Sequence, residues 1–472
     1  MSHRAIPALL AIALSGCGAA DAPKMCAIDA PPAGEWRLHT DGTILRDEAG
    51  RVVTLRGVNA GGRSKFAPFA PFDFASDGYD AALAAYLDRA ASWGVDLLRV
   101  PLTWAAVEPQ PGADDAQFLQ RYDALLDGAW ARGMRTIVDL HQDVYAENFC
   151  GDGFPDWTIP DPKPAPHHDC PTWFNGYATP DVIGAFDRFW ASGSTVRVQF
   201  DAMWDRLVAR HRDRPGVIGF EILNEPSNGS ADSATFEATT LTTFFTEEAA
   251  RVRAAAPQSL VLFEPINVAS GSVTSALERP AGDGLVFAPH YYQATTLAPH
   301  GDGNPDSVRA ALDTWQSYGT RWSVPVILGE FGSSHLSDSA ADYLSAHFDA
   351  LDALGMSGTE WEYSTAAEAW NAEVFGVADA DGSEFPVVSA IIRPHARAIA
   401  GSAIDARWDA ATRTFTLGYL AGAGISEVAL PARAYPTPPH LTLSGACLDT
   451  TIPNALLIRA TAGAQVSLRI TP

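Results

Sequence analysis

At 472 residues, 47% of them hydrophobic and 19% charged, the chain has a globular composition that fills a large core and a smaller module, and intrinsic disorder is excluded. Its formal net charge of −24, from 56 acidic against 32 basic residues, repels phosphate backbones, and no Lys/Arg cluster offsets that repulsion locally. Nucleic acid is therefore excluded as a partner.

The chain starts with Arg4 and a short apolar run, Ala5–Leu14. That is the shape of a secretory signal and too short to span a bilayer. Leu14-Ser15-Gly16-Cys17 follows and resembles a bacterial lipobox, which implies loss of residues 1–16 and acylation of Cys17. An ordinary signal with an incidental Cys17 is the alternative. No later stretch is apolar enough for a membrane helix, so attachment to a membrane surface is expected through lipid on Cys17. The protein is then exported, either held at the cell envelope or secreted. Export lets Cys26, Cys150, Cys170 and Cys447 pair, with three connectivities open. Sequence proximity suggests Cys150 with Cys170, which leaves Cys26 with Cys447. There is no CxxC, and His167-His168-Asp169-Cys170 lacks a second ligand group at matching spacing, so it reads as a surface loop and no metal site is expected.

Residues 17–35, rich in Ala, Pro and Gly, read as a tether. Trp36–Arg46 and Val52–Leu55 flank the turn-forming Asp47–Gly50 and predict a small hairpin. Short apolar runs then recur at Leu55–Asn59, Val95–Val100, Thr136–Leu140, Val217–Leu223, Leu260–Phe263, Leu285–Pro289, Val326–Gly329 and Gly358–Tyr363. Between several of them lie segments of helical period: Ala81–Trp93, Leu119–Arg132, Thr195–His211, Thr240–Ala255 and Ser307–Tyr318. Eight buried-type strands alternating with helices predict an α/β (β/α)8 TIM barrel over residues 36–395. A doubly wound open sheet lacks the Gly-rich phosphate loop after its first strand. From residue 396 to 472 the helical period disappears. Thr414–Tyr419, Glu427–Leu430, Leu441–Ser444, Leu456–Ala460 and Val466–Ile470 alternate apolar with polar residues and predict a small C-terminal antiparallel β-sandwich. The short linker favours packing on the barrel over a free carbohydrate-binding module.

In such a barrel, functional groups sit where strands end. The fourth run ends Ile222-Leu223-Asn224-Glu225-Pro226 and the seventh ends Leu328-Gly329-Glu330-Phe331-Gly332. Glu225 and Glu330 thus face each other across the barrel mouth. Cleavage of a glycosidic bond needs that pair: one carboxyl protonates the departing oxygen and the other attacks the anomeric carbon.

With Asn-Glu-Pro at the fourth strand, these residues resemble glycoside hydrolase clan A, family 5 in particular. Arg99, His141, His290 with Tyr292, and Trp361 match at the second, third, sixth and eighth strands. The resemblance implies that Glu225 is the acid/base and Glu330 the nucleophile. It further implies that Arg99 orients the nucleophile, His141 contacts sugar, His290 and Tyr292 lie near the nucleophile, and Trp361 stacks on a ring. Taken singly, Arg99 pairing with a core acid and Trp361 filling the barrel are the bland alternatives. Residue chemistry adds roles. Asn224 has an amide to offer a sugar 2-hydroxyl. Arg99 and Tyr292 favour ionised Glu330, and Glu225 must start protonated. No metal or other cofactor is required.

His141-Gln142-Asp143-Val144-Tyr145, Gly151-Asp152-Gly153-Phe154-Pro155-Asp156-Trp157 and Ser64-Lys65-Phe66 after the first strand resemble the endoglycoceramidase branch of family 5. That resemblance implies a retaining endo-β-glycosidase that separates oligosaccharide from ceramide in glycosphingolipids, with Lys65 and Asp143 contacting the sugar nearest the lipid. The segment from Tyr145 to Ser194 far exceeds a usual βα loop of about 2–6 residues. It carries Phe154, Trp157, Trp173, Phe174, Tyr177, Phe186, Phe189 and Trp190, which either wall a ceramide slot or pack the loop on the barrel. Asp152 and Lys163 read as loop structure. The alternatives are a family 5 endo-glucanase, a glucosylceramidase-like β-glucosidase, or a non-catalytic carbohydrate-binding lipoprotein. A monomer is expected.

Overall fold

The computed structural model describes residues 23–29, 36–166, 173–366 and 374–472. The signal at residues 1–16, lipidation of Cys17 and the His167–Cys170 cluster lie outside them.

Eight parallel strands close into the expected barrel: Arg56–Asn59, Leu97–Leu102, Arg135–Leu140, Val217–Glu221, Leu260–Phe263, Leu285–Phe287, Ile327–Leu328 and Ser357–Glu360. The first strand pairs with both the second and the eighth. Closure between the sixth and seventh is made by the bridge Phe287↔Val326 and, one step higher, by the ladder His290↔Glu330 and Tyr291↔Phe331. Every residue of the second, third and fourth strands is buried, as a parallel sheet covered on both faces requires. Local signals end the covering helices. Asp115 caps Ala116–Trp130 by accepting from Gln117 and Phe118 N–H groups, and Ser194 caps Thr195–His211 through Arg197 N–H. Gly94, at φ 85°, closes Tyr79–Trp93.

Three details depart from the apolar runs. Arg99 is the third residue of its six-residue strand, not the last. The fourth strand stops at Glu221, because the chain leaves the ladder there and Asn224 N–H turns to the Leu140 carbonyl at 2.9 Å. Trp361 lies just beyond the eighth strand, its N–H bonded to Phe331 O at 2.8 Å.

The predicted hairpin is present, with Leu45↔Val53 and Arg46↔Val52 paired around Asp47–Gly50, and its first strand folds once more. Leu38–Asp41 pairs with Ile44–Asp47 around Gly42, at φ 59°, inside the run read as one strand. The two-residue loop is Gly42-Thr43, with glycine at the first position, where a positive φ is needed. Leu38, Leu45 and Val53 then pack under Leu55, Leu97, Ile137, Ile218, Leu260 and Ile327, plugging the barrel floor.

The C-terminal region is a sandwich of two antiparallel sheets. Gly401–Asp409, Thr414–Ala421, Gln465–Thr471 and His440–Ser444 make one sheet. The other contains His395–Ile399, Ile425–Ala429, Ala455–Ala460 and Ala446–Asp449, and continues through Val52–Val53 into the hairpin. Phe415, Leu417, Tyr419, Val428, Ile458, Val466 and Leu468 fill the space between them. Asp96, just before the second barrel strand, receives His395 Nε2 at 2.7 Å and Arg397 Nε at 2.9 Å, docking the sandwich. Within the stretch read as a tether, Met25 bridges Leu448, and Cys26 is disulfide-bonded to Cys447. Cys150 is disulfide-bonded too, and Cys170 lies outside the described residues. Among the described residues no helix is long and apolar enough to cross a membrane.

Candidate active site

Arg99 projects from the second strand into the barrel, fully buried, and organises the mouth. In register beside it, Asn59 supplies Oδ1 to Nη1 at 2.9 Å. Nε and Nη2 clasp both oxygens of Glu221 at 2.8 and 3.2 Å, and Nη2 also meets Asn224 Oδ1 at 2.7 Å and Asp139 Oδ2 at 3.2 Å. Nη1 reaches Glu330 Oε1 at 2.7 Å. Such a buried cation persists because charge-assisted bonds surround it. The expected orientation of Glu330 by Arg99 is therefore direct, and Tyr292 holds the other Glu330 oxygen with an O–H bond of 2.9 Å.

Glu330 and Glu225 come together. One oxygen of each, with a ring nitrogen of His290, lie within 4.8 Å of one another. Retaining glycosidases work with carboxyls roughly 5–5.5 Å apart and inverting ones with roughly 6.5–9.5 Å, so the spacing is of the retaining kind. The two environments differ. Burial would raise the Glu330 pKa, but His290, Arg99, His141 and Lys65 overrule it and hold this carboxyl below the ordinary range. Burial raises Glu225, and the negative charges of Glu330 and Asp143 add to that against the His290 hydrogen bond. One carboxyl is biased to the ionised form and the other to the protonated form, the division an acid and a nucleophile need.

The backbone that presents Glu225 is itself unusual. Its φ is 41°, a left-handed conformation that costs a non-glycine residue about 1–3 kcal/mol. Gln142 holds it, donating Nε2 to the carbonyls of Asn224 at 2.9 Å and Glu225 at 2.8 Å. Asn224 Nδ2 in turn donates to Gln142 O at 3.1 Å. An amide carries two hydrogens, so one remains for a sugar hydroxyl.

The predicted sugar contacts His141, Lys65, Asp143 and Trp361 gather beside the pair. His141 directly follows the third strand, and its Nδ1 faces Asp139 Oδ2 at 2.8 Å. Burial and Lys65 act to lower its pKa, but Asp139 and Asp143 prevail and raise it to about 9, so the ring is cationic at neutral pH. Its ring stacks on Trp361 at 5.2 Å between centroids. Lys65 Nζ sits 4.4 Å over the same indole and bonds Asp143. Asp152, read as loop structure, is buried within ligand distance of His141 and Asp143.

All these groups open into a cavity of about 690 Å³. Lys65, His141, Asp143, Glu225, Glu330 and Trp361 line it. The same cavity is lined by the apolar residues Trp173, Phe174, Val268, Leu297, Pro299 and Phe375. The aromatic-rich segment after the third strand thus divides its residues. Phe154, Phe186 and Phe189 are buried in the barrel core, whereas Trp173 and Phe174 face the cavity. Pattern reading missed Val268, Leu297 and Phe375, which come from other loops. It also missed Glu221, and it read Asn59 and Asp139 only as members of their strands and motifs, without their contact to Arg99.

The chain is similar to known proteins in both of its parts. Residues 47–367 match the model for cellulase (glycosyl hydrolase family 5), and residues 393–470 match that for the glycoside hydrolase family 5 C-terminal domain. Endoglycoceramidase I of Rhodococcus hoagii (strain 103S) is 30% identical over 318 residues, 62% of each chain. The match therefore spans under two thirds of that relative's length. The structure of endo-glycoceramidase II from Rhodococcus sp. superposes with a TM-score of 0.75 at 25% identity, covering 92% of this chain and 100% of that one. The same enzyme has been solved as a lactosyl-enzyme intermediate, with a TM-score of 0.74 at 25% identity and the same coverage.

Proposed function

The chain belongs to glycoside hydrolase family 5, and from that footing we propose that it is a retaining endo-β-glycosidase that releases oligosaccharide from the ceramide of glycosphingolipids. The observation that carries the chemistry is the Glu225–Glu330 pair, oxygens within 4.8 Å in environments that bias one to the acid and the other to the carboxylate. For the substrate, the support is a cavity lined by both charged and apolar side chains, together with relatives named for action on glycoceramides.

The reaction follows from the geometry. Glu330, its negative charge fixed by Arg99 and Tyr292, attacks the anomeric carbon while Glu225 gives its proton to the departing ceramide oxygen. Glu225, then ionised, draws a proton from water that opens the glycosyl–Glu330 ester, and the configuration is retained. The lactosyl-enzyme form of the Rhodococcus relative supports the covalent step. Asn224 offers its remaining amide hydrogen to the 2-hydroxyl. His141, Lys65 and Asp143 bind the sugar nearest the lipid, and Trp361 supplies an apolar face to it. We propose further that export and acylation at Cys17, read from Leu-Ser-Gly-Cys, hold the enzyme at a membrane surface. It acts as a monomer, since one chain supplies every group named above. Size-exclusion with light scattering tests the last point, and a palmitate label lost in Cys17→Ala tests the anchor.

The substrate test is a side-by-side assay of lactosylceramide, glucosylceramide and carboxymethylcellulose. Release of intact lactose from lactosylceramide is the expected result. Activity confined to the polysaccharide, or to glucosylceramide, overturns the proposal.

A further inference from the structure

Glu264 directly follows the fifth barrel strand and has no place in the mechanism above. It is 1% exposed, and no hydrogen bond to its Oε1 is found among the described residues. Its Oε2 lies 3.5 Å from His290 Nε2, a nitrogen that likewise lacks a well-aligned partner. The other ring nitrogen, Nδ1, is 2.9 Å from Glu225 Oε1 and 3.6 Å from Glu330 Oε2. Glu221 also faces Nε2, at 4.0 Å, but both of its oxygens are taken up by Arg99. His290 therefore stands between Glu225 and one further carboxyl, whose Oε1 accepts no hydrogen bond among the described residues.

We propose that Glu264 is a positioning residue acting through His290: its buried carboxyl accepts the Nε2–H and so leaves Nδ1 to accept from the Glu225 O–H. The proposal rests on Glu225 being the acid/base. A neutral imidazole has one N–H, and the bond made by one nitrogen decides the state of the other. Were the proton on Nδ1, it would donate to Glu225 and favour the carboxylate, which cannot protonate a leaving group. A separation of 3.5 Å is long, as catalytic hydrogen bonds are before substrate closes a site.

The charge state of Glu264 fits this role. Burial raises its pKa well above the carboxylate range, Glu221, Glu225 and Asp139 add to that, and Arg99 opposes. His290 is pushed down by burial and Arg99 and pulled up, on balance, by Glu330 and Glu225. Glu225 and His290 thus compete for one proton. An ionised Glu264 would draw it onto the ring, whereas a neutral one accepts a hydrogen bond without that pull.

The experiment compares Glu264→Leu and Glu264→Gln on two substrates. Lactosylceramide leaves as an alkoxide and needs a proton, whereas 2,4-dinitrophenyl β-lactoside leaves as a stable phenolate and needs none. Glu264→Leu is expected to lose about 10–100-fold in kcat/KM on lactosylceramide, part of the 10²–10⁴ that general acids supply, and less than about threefold on the aryl lactoside. Its basic limb on lactosylceramide moves down by about one pH unit. Glu264→Gln, neutral and still an acceptor, restores most of the lost activity. Equal losses on both substrates, an unchanged pH profile in Glu264→Leu, or a Gln variant as poor as Leu each overturn the inference. Activity on the aryl lactoside reports a folded enzyme throughout. Failure of the underlying assignment shows separately, as undiminished lactosylceramide cleavage by Glu225→Ala.

Discussion

The side-chain amide of Gln142 donates to the main-chain carbonyl of Glu225 at 2.8 Å, and with its second hydrogen to that of Asn224 at 2.9 Å. A residue on the third strand's exit thereby fixes a φ of 41° that the fourth strand's exit would not adopt unaided. Gln142→Leu releases that conformation. The expected result is a 10–100-fold lower kcat on lactosylceramide, about 1.4–2.8 kcal/mol of lost positioning, with unchanged far-UV circular dichroism. A kcat within twofold of wild type shows that Glu225 is held by other means.

Removing the nucleophile's side chain separates its role from folding. Glu330→Gly is expected to lose at least about 10⁴-fold in hydrolysis, and added azide restores turnover of the aryl lactoside with an α-lactosyl azide product. Identification of that product by NMR is the check, and a β-configured product contradicts the double displacement.

The pH profile follows from the two carboxyls. Glu330 is held below the ordinary glutamate value of 4.5, so the ionised form it must use is lost only as pH falls below that value. Glu225 is raised above 4.5, so the protonated form it must use persists above that value and is lost on further rise. Activity is therefore bell-shaped, with limbs on either side of 4.5. Measurement of kcat/KM from pH 3 to 9 checks it, and a plateau extending through pH 9 would contradict the acid role of Glu225.

Lys65 and Asp143 form a buried ion pair lining the cavity. Removing Lys65 leaves the Asp143 carboxylate with only His141, at 3.4 Å, as its cationic neighbour among the described residues. Lys65→Met is expected to cost about 3–5 kcal/mol in stability, and Lys65→Met with Asp143→Leu to recover much of it. Both variants lose sugar binding. Urea unfolding of the four members of the cycle measures the coupling, and strict additivity is the contrary result.

His141 gives stability its own pH dependence. Its pKa is raised from 6.5 to about 9 by Asp139 and Asp143 against burial and Lys65. The stabilisation is complete below 6.5 and lost as pH rises through about 9. The urea midpoint of wild type is expected to fall between pH 6 and pH 9.5 by more than that of His141→Asn.

Much of the catalytic centre was legible because it follows a rule of position: a carboxylate ending an apolar run in a barrel faces the mouth. Glu225, Glu330, Arg99, His141, His290, Tyr292 and Trp361 all come together as the strand order requires. What could not be read depends on three-dimensional neighbours. Glu221 looks like the end of a buried strand until Arg99 is seen against it, and Glu264 looks like a loop residue until His290 is. The apolar lining was half visible, because Trp173 and Phe174 sit in an aromatic-rich segment, whereas Val268 and Leu297 are single apolar residues in separate loops. Strand ends shifted by a few residues for the same reason. Side-chain pattern marks burial, but the turn of Asn224 toward Leu140 is a main-chain event.

The hairpin beneath the barrel has a consequence for how this chain is inherited. Val52–Val53 is an interior strand shared by two bodies: Val53 packs in the plug of the barrel, and the strand pairs with Ile44–Asp47 on one side and His395–Ile399 on the other. A chain cut before His395 would leave the plug with an unpaired edge, and a sandwich taken alone would lack the hairpin strands that extend its larger sheet. Recombination that treats the C-terminal region as a detachable cassette therefore breaks a sheet at every junction. An exchange that keeps both bodies intact is expected to carry the first strands together with the last.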